Sequence, residues 1–169
     1  MKGAVKKYLP KDRQEKILKV LVTAGSTKVN IDQARAITNI FRGRTGTNIA
    51  KFFSDKGFEV TLATSNQELL GEDAGKIRVL PFHTYDDLYF LLKKEIETGK
   101  FDVIVHSAAV SDYKVRRVLD GDLREVDNSG KIRSTHEKLY LELVLTEKII
   151  DNFRKWGFGG KLVKFKFLS

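Results

Sequence analysis

The chain predicts an α/β fold: a Rossmann-like three-layer sandwich around a mostly parallel sheet. Three observations carry this. Apolar runs of strand length recur at residues 17–22, 58–64, 77–82 and 101–106. Segments with helical spacing lie between them, after Gly46 and after Thr84. The first and fourth runs stop abruptly in small residues, Ala24-Gly25-Ser26 and Ser107-Ala108-Ala109. Helices between strands imply parallel pairing with right-handed crossovers, and in open sheets of this kind ligands sit at the carboxyl ends of the strands.

The elements follow in order. Residues 1–16 are polar, contain Pro10, and form a basic N-terminal extension outside a domain expected over 17–169. Residues 28–42 show no clear period. Gly43-Arg44-Thr45-Gly46 is a glycine turn, followed by Ile49, Phe52 and Phe53 at helical spacing and by Gly57 as a C-terminal stop. Thr84 can cap a second helix with Asp87, its stripe is Leu88, Leu91, Leu92 and Ile96, and Gly99 ends it. Residues 114–130 hold two glycines and mixed charges and are expected to form a mobile loop. Alternation over 139–145 predicts a half-buried strand, and Thr146 is expected to cap a helix facing inward through Ile149, Ile150, Phe153 and Trp156. Residues 161–168 complete the sheet. A chain ending on a strand leaves that strand for a partner, or for the missing C-terminal part of a longer domain, to cover.

Composition excludes several classes. No apolar run approaches the ~18 residues that a membrane helix needs. With no cysteine there are no disulfides, thiolate metal sites or cysteine nucleophile, which suits a cytoplasmic protein. The net charge of +9 suggests nucleic acid, but its location does not. Residues 20–154 carry 20 charges of each sign, so the excess is terminal. Neither end interleaves aromatics with cations as a nucleic-acid platform would.

Four stretches bear on chemistry. Around Gly25 there is no G-x-G-x-x-G, which disfavours a dinucleotide bound in the usual way, and no Walker loop occurs. Gly43 and Gly46 open a helix whose N-terminus can receive an anion, with Arg44 adding charge; taken alone, an ordinary loop with a helix start is the favoured explanation. In Lys131-Ile132-Arg133 two cations flank one apolar residue, a pattern also met on lysine-protected strand edges. His83, His106 and His136 have no metal spacing, and His106, ending a buried strand, is expected to be a hydrogen-bonded structural residue.

The ordered set TAGST, IDQARAITN, GRTG, HSAAVSDY and GKIRS resembles the phosphopantothenate–cysteine ligase family, the synthetase half of the bacterial pantothenate-metabolism flavoprotein, in wording nearest its stand-alone form. The resemblance covers about residues 17–169. It implies a cytoplasmic homodimer in coenzyme A biosynthesis that joins 4′-phosphopantothenate to L-cysteine. CTP, or ATP as in eukaryotic relatives, is the cosubstrate with Mg²⁺, and an acyl-nucleotidylate the intermediate. Asn39 matches the residue positioning that intermediate. Gly25, Ala108, Asp112, Lys131 and Phe165 match nucleotide-contacting positions, and Gly43, Arg44 and Gly46 the substrate-binding loop. No metal ligand is implied beyond the nucleotide's own Mg²⁺. The chain departs from the family pattern at Phe41 and Arg42, where serines are usual, and over Thr146-Glu147-Lys148-Ile149. The family's later triphosphate-binding lysines are missing, so a non-catalytic nucleotide-binding and dimerisation module is the alternative expectation.

Overall fold

A computed structural model describes residues 16–166. Apart from Lys16, the expected basic extension lies outside the described residues, as do residues 167–168 of the expected last strand; the strand itself ends at Lys164. The chain order is β1 (Lys19–Ala24), β2 (Lys28–Asn30), β3 (Ala36–Thr38), α1 (Arg44–Asp55), β4 (Glu59–Thr64), β5 (Arg78–Pro81), α2 (Tyr85–Gly99), β6 (Val103–His106), β7 (Tyr113–Leu119), β8 (Glu125–Val126), β9 (Tyr140–Leu145) and β10 (Lys161–Lys164). Short 3₁₀ segments at Gln67–Gly75 and Ile149–Asn152 complete the list.

The central sheet has the order β10-β6-β1-β4-β5, parallel throughout. The chain builds outward from β1 to β4 and β5, then crosses back over β1 to place β6 and β10. The strand order therefore reverses between β1 and β6, where such sheets open a crevice for ligands. Side-chain alternation along β1 sets the layers. Val20, Val22 and Ala24 face α1 through Ala50, together with Leu62, Leu70 and Val105. Leu21 and Ile104 face the other way, against Leu88, Leu92 and Ile96 of α2 and Phe153 and Phe158 of the segment after β9.

α2 begins where its sequence says. Asp87 donates its N–H to Thr84 Oγ1 at 3.1 Å, and Thr84 donates its N–H back to Asp87 Oδ2 at 2.8 Å, the reciprocal capping box. The helix runs one residue further than expected. Lys100, not Gly99, takes the left-handed conformation (φ 47°), while Gly99 makes room for the Phe101 ring, 2.5 Å from where a Cβ would stand.

Two other expectations are corrected, and two stretches that carried no expected element are filled in. Residues 114–130 are not a mobile loop. They form β7 and β8, which with β9 make a separate antiparallel sheet, so β9 does not join the parallel one. A bulge between Val115 and Arg117 inserts one residue and breaks the alternation that marks a strand, so Val115 and Val118 share a face although three positions apart. Residues 28–42 contain the β2–β3 hairpin, whose three-residue strands are too short to show a period. The 3₁₀ segment at Gln67–Gly75, which no period announced, buries Leu70. The helix expected after Thr146 is only the single 3₁₀ turn Ile149–Asn152. Thr146 gives its hydroxyl proton to Ser111 O (2.8 Å) and its N–H to Asp112 O (2.9 Å), which ties it to residues 111–112; the turn starts later, after Lys148, and has no side-chain cap. The apolar residues expected there still pack inward, with Ile149 and Phe153 fully buried.

Phe153 has no exposed surface, whereas Phe90 on α2 is 66% exposed. Phe153→Ala is expected to cost about 3–5 kcal/mol in chemical denaturation, and Phe90→Ala within about 0.5 kcal/mol. Similar losses in both variants would contradict this core.

Candidate functional site

The site is built from the tails of β1 and β6, which stay joined after the strands end. Thr23 holds the junction. Its hydroxyl oxygen accepts the N–H groups of Ser107 and Ala108, both at 3.1 Å. With that oxygen occupied as an acceptor, its proton points to His106 Nδ1, 3.0 Å away. His106 is therefore neutral with Nδ1 unprotonated, the structural, hydrogen-bonded role expected of it. One step on, Ala109 donates to Gly25 O (2.8 Å) and Thr27 donates to Ala109 O (3.2 Å). Thr27 Oγ1 accepts from Ser111 N at 2.9 Å. The floor made of Gly25 and Ser107–Ala109 is thus rigid backbone with almost no side chain above it.

The first wall is the stretch from Ile40 to Thr45. Ser26 anchors it by donating its hydroxyl to Phe41 O at 2.5 Å. Gly43 then turns the chain into α1 with φ 90°, a conformation that favours glycine; a Cβ there would lie 2.8 Å from Gly25 Cα. No side chain caps α1 and no acidic residue sits in its first turn. Its leading N–H groups and the positive end of the helix dipole are left for a ligand. Opposite stand Phe165 and Lys166, carried to the cleft because β10 pairs with β6 and Phe165 N donates to His106 O at 3.1 Å.

Between floor and walls lies a cleft of about 640 Å³. Arg42, Arg44 and Lys166 line it, no carboxylate does, and among the described residues none of the three has an ion-pair partner. Phe41 and Phe165 add aromatic surface. The combination suits a ligand with a flat ring and several negative charges.

Of the residues singled out in the sequence, Gly25, Gly43, Arg44, Ala108 and Phe165 all line this cleft. Asn39 stands at its rim and donates its amide to Ala109 O at 3.3 Å. Gly46 is not in the turn. It lies in the first turn of α1, buried where a Cβ would meet Ala24 Cβ at 2.7 Å, so it brings the helix onto β1 instead of facing the cleft. Asp112 and Lys131 are exposed and are not part of the lining. No motif singled out Lys166, and Arg42 stood out only as a departure from a pattern. Thr23 and Thr27 were hidden inside an apparently bland small-residue turn.

Residues 16–165 match the family model described as DNA/pantothenate metabolism flavoprotein C-terminal domain, and the chain belongs to that family. It is 36% identical over 162 residues to the coenzyme A biosynthesis bifunctional protein CoaBC of Thermococcus kodakarensis, covering 96% of this chain and 36% of that protein. The corresponding protein of Methanocaldococcus jannaschii is 30% identical over 149 residues, covering 88% and 33%. The chain thus spans about a third of the length of these curated relatives. Among solved structures, the DNA/pantothenate metabolism flavoprotein from Streptococcus pneumoniae superposes with a TM-score of 0.74 at 29% identity, covering 86% of this chain and 67% of that one. The C-terminal domain of a CoaBC protein shares the fold (TM-score 0.61, 21% identity, 86% and 62% covered).

Burial pushes the His106 imidazole down to about 4. Between its ordinary value of 6.5 and that value the unfolded chain takes up a proton that the folded chain refuses, so stability falls as pH drops through this window. The expected loss approaches about 3 kcal/mol. Urea unfolding from pH 7 to 4.5 should show it in the wild type and largely not in His106→Gln. Equal pH dependence in the two proteins would contradict a neutral, buried His106.

Proposed function

We propose that this domain carries out nucleotide-dependent ligation of 4′-phosphopantothenate with L-cysteine in coenzyme A biosynthesis, with CTP as the cosubstrate and ATP as the alternative. The observation carrying this is the cleft at the strand-order reversal, with three cations that have no ion-pair partner among the described residues and an uncapped helix end facing a nearly bare backbone floor. A triphosphate demands such a place, since its charge must be met by cations and fixed donors. In this reading the substrate carboxylate attacks the α-phosphorus, forming the acyl-nucleotidylate and expelling pyrophosphate. The cysteine amine then attacks the acyl carbon and nucleoside monophosphate leaves. Arg42, Arg44 and Lys166 hold phosphate oxygens. Phe41 and Phe165 flank the base. Asn39, its amide hydrogen committed to Ala109 O, keeps its carbonyl and second N–H for the acyl group.

No cluster of metal-binding side chains occurs among the described residues, and the lining has no carboxylate. Mg²⁺ enters as the nucleotide's own counter-ion, neutralising phosphate charge. Tyr113, Leu143 and Leu145 share one face of the β7–β9 pair and are 50%, 43% and 71% exposed. This apolar strip supports the homodimer, with 4′-phosphopantothenate, cysteine and nucleotide as the small-molecule partners. Among the described residues no helix is long and apolar enough to cross a membrane, and a cytoplasmic location is proposed with the pathway. The position of Asp112 and Lys131 off the lining favours a second reading, a nucleotide-binding and dimerisation module without turnover.

Pyrophosphate release decides between them. Turnover that requires 4′-phosphopantothenate, cysteine, Mg²⁺ and CTP or ATP together supports the ligase; nucleotide binding without release supports the module. Arg44→Ala and Lys131→Ala are each expected to weaken nucleotide binding while changing stability by no more than about 0.5 kcal/mol. Unaltered affinity in either variant removes that residue from the site.

A further inference from the structure

The tip of the β2–β3 hairpin is strapped to a segment about a hundred residues later in the chain. Four hydrogen bonds make the strap. Gln33 donates to Ser129 O (2.9 Å), Asn128 to Ile31 O (2.9 Å), Arg35 Nη2 to Ile132 O (3.0 Å), and Ile132 N to Asp32 Oδ2 (3.1 Å). Asp32 is central to it, with a side chain that exposes no surface. Its two oxygens divide the work. Oδ1 accepts from Ala34 N (2.8 Å) and Arg35 N (2.7 Å), which closes the hairpin turn. Oδ2 accepts from Arg35 Nε (3.0 Å), Arg35 Nη2 (2.5 Å) and Ile132 N.

Turn closure needs only the first oxygen, and an asparagine would supply it. The second oxygen, and with it the charge, is committed to fixing residue 132. Ile132 is 3% exposed, and both its N–H and its C=O are held, directly or through Arg35. Its neighbours Lys131 and Arg133 are exposed. At the other end of the hairpin, β3 runs through Asn39 straight into the wall of the cleft. One buried carboxylate therefore ties the backbone beneath Lys131 to the strand that leads to the binding wall.

We propose that Asp32 is a positioning residue: through Ile132 and Arg35 it fixes the Lys131 segment relative to the hairpin that carries Asn39, so that Lys131, which lies outside the cleft lining, is held in one register to reach the part of the nucleotide that extends beyond the cleft. This rests on the nucleotide reading above. Asp32 touches no reacting group and acts only through the segment that it holds.

The discriminating substitution is Asp32→Asn, tested in the full chain. It keeps the turn-closing oxygen and puts an NH₂ where three N–H donors converge. Amide exchange at 128–133 should speed up while β1 and β6 keep their protection. Affinity for CTP with Mg²⁺ should fall by about threefold to tenfold, the range for one charge-assisted contact. On a Lys131→Ala background the same substitution should cost almost nothing further. Asn128→Ala, which cuts the strap from the other side without touching a charge, should reproduce the exchange and affinity changes and decides the matter if Asp32→Asn does not fold. Wild-type CTP affinity in the strap variants, or losses that multiply with that of Lys131→Ala, overturns the positioning role alone. A Lys131→Ala protein that binds CTP as the wild type does overturns the nucleotide reading at Lys131, and the positioning role with it.

Discussion

Everything at this site depends on one hydroxyl group. Thr23 is the last residue but one of β1, and its oxygen receives two consecutive backbone N–H groups from the tail of β6 while its proton goes to His106. Parallel strands at a strand-order reversal tend to splay, because the chain leaves them for opposite faces of the sheet. Here the splay is delayed by three residues on each side. That delay creates a flat backbone floor at Gly25 and Ala108. Glycine at 25 is required by its positive φ and by Ser65, whose Oγ would clash with a Cβ there.

The rest of the cleft follows from what must reach that floor. α1 comes close to β1 because Gly46 and Gly43 let its first turn rest on Ala24 and Gly25. That contact leaves the amino end of the helix pointing at the floor. β10 pairs with β6 in register, so whatever follows Lys164 is delivered to the same place. The anion-binding character of the cleft is therefore a product of topology, and the cations at 42, 44 and 166 are additions to a field that the backbone already sets.

Much of the central sheet was legible because its signals are local. Buried strands appear as short apolar runs, and the Thr84–Asp87 box announces a helix without outside help. The second sheet was not legible, since its evidence is relational. β7 counts as a strand only once β9 is beside it, and its bulge disrupts the period that would have shown it. The site divides in the same way. Small residues after two apolar runs pointed to Gly25 and Ala108, and the family resemblance supplied Asn39 and Phe165. No spacing could show that Ile132 donates its N–H to Asp32, a hundred positions away, or that Thr146 turns its hydroxyl to Ser111 instead of a helix.

The central claim is that a nucleotide lies on the joined tails of β1 and β6. Backbone amide chemical shifts recorded as CTP and Mg²⁺ are titrated into the protein test it most directly. The largest changes should fall at Gly25, Ser107–Ala109 and Arg44–Gly46, with lesser ones at Phe165. Saturable shifts centred elsewhere, for example on the loops holding Asp120 and His136, with those residues unmoved, would contradict it.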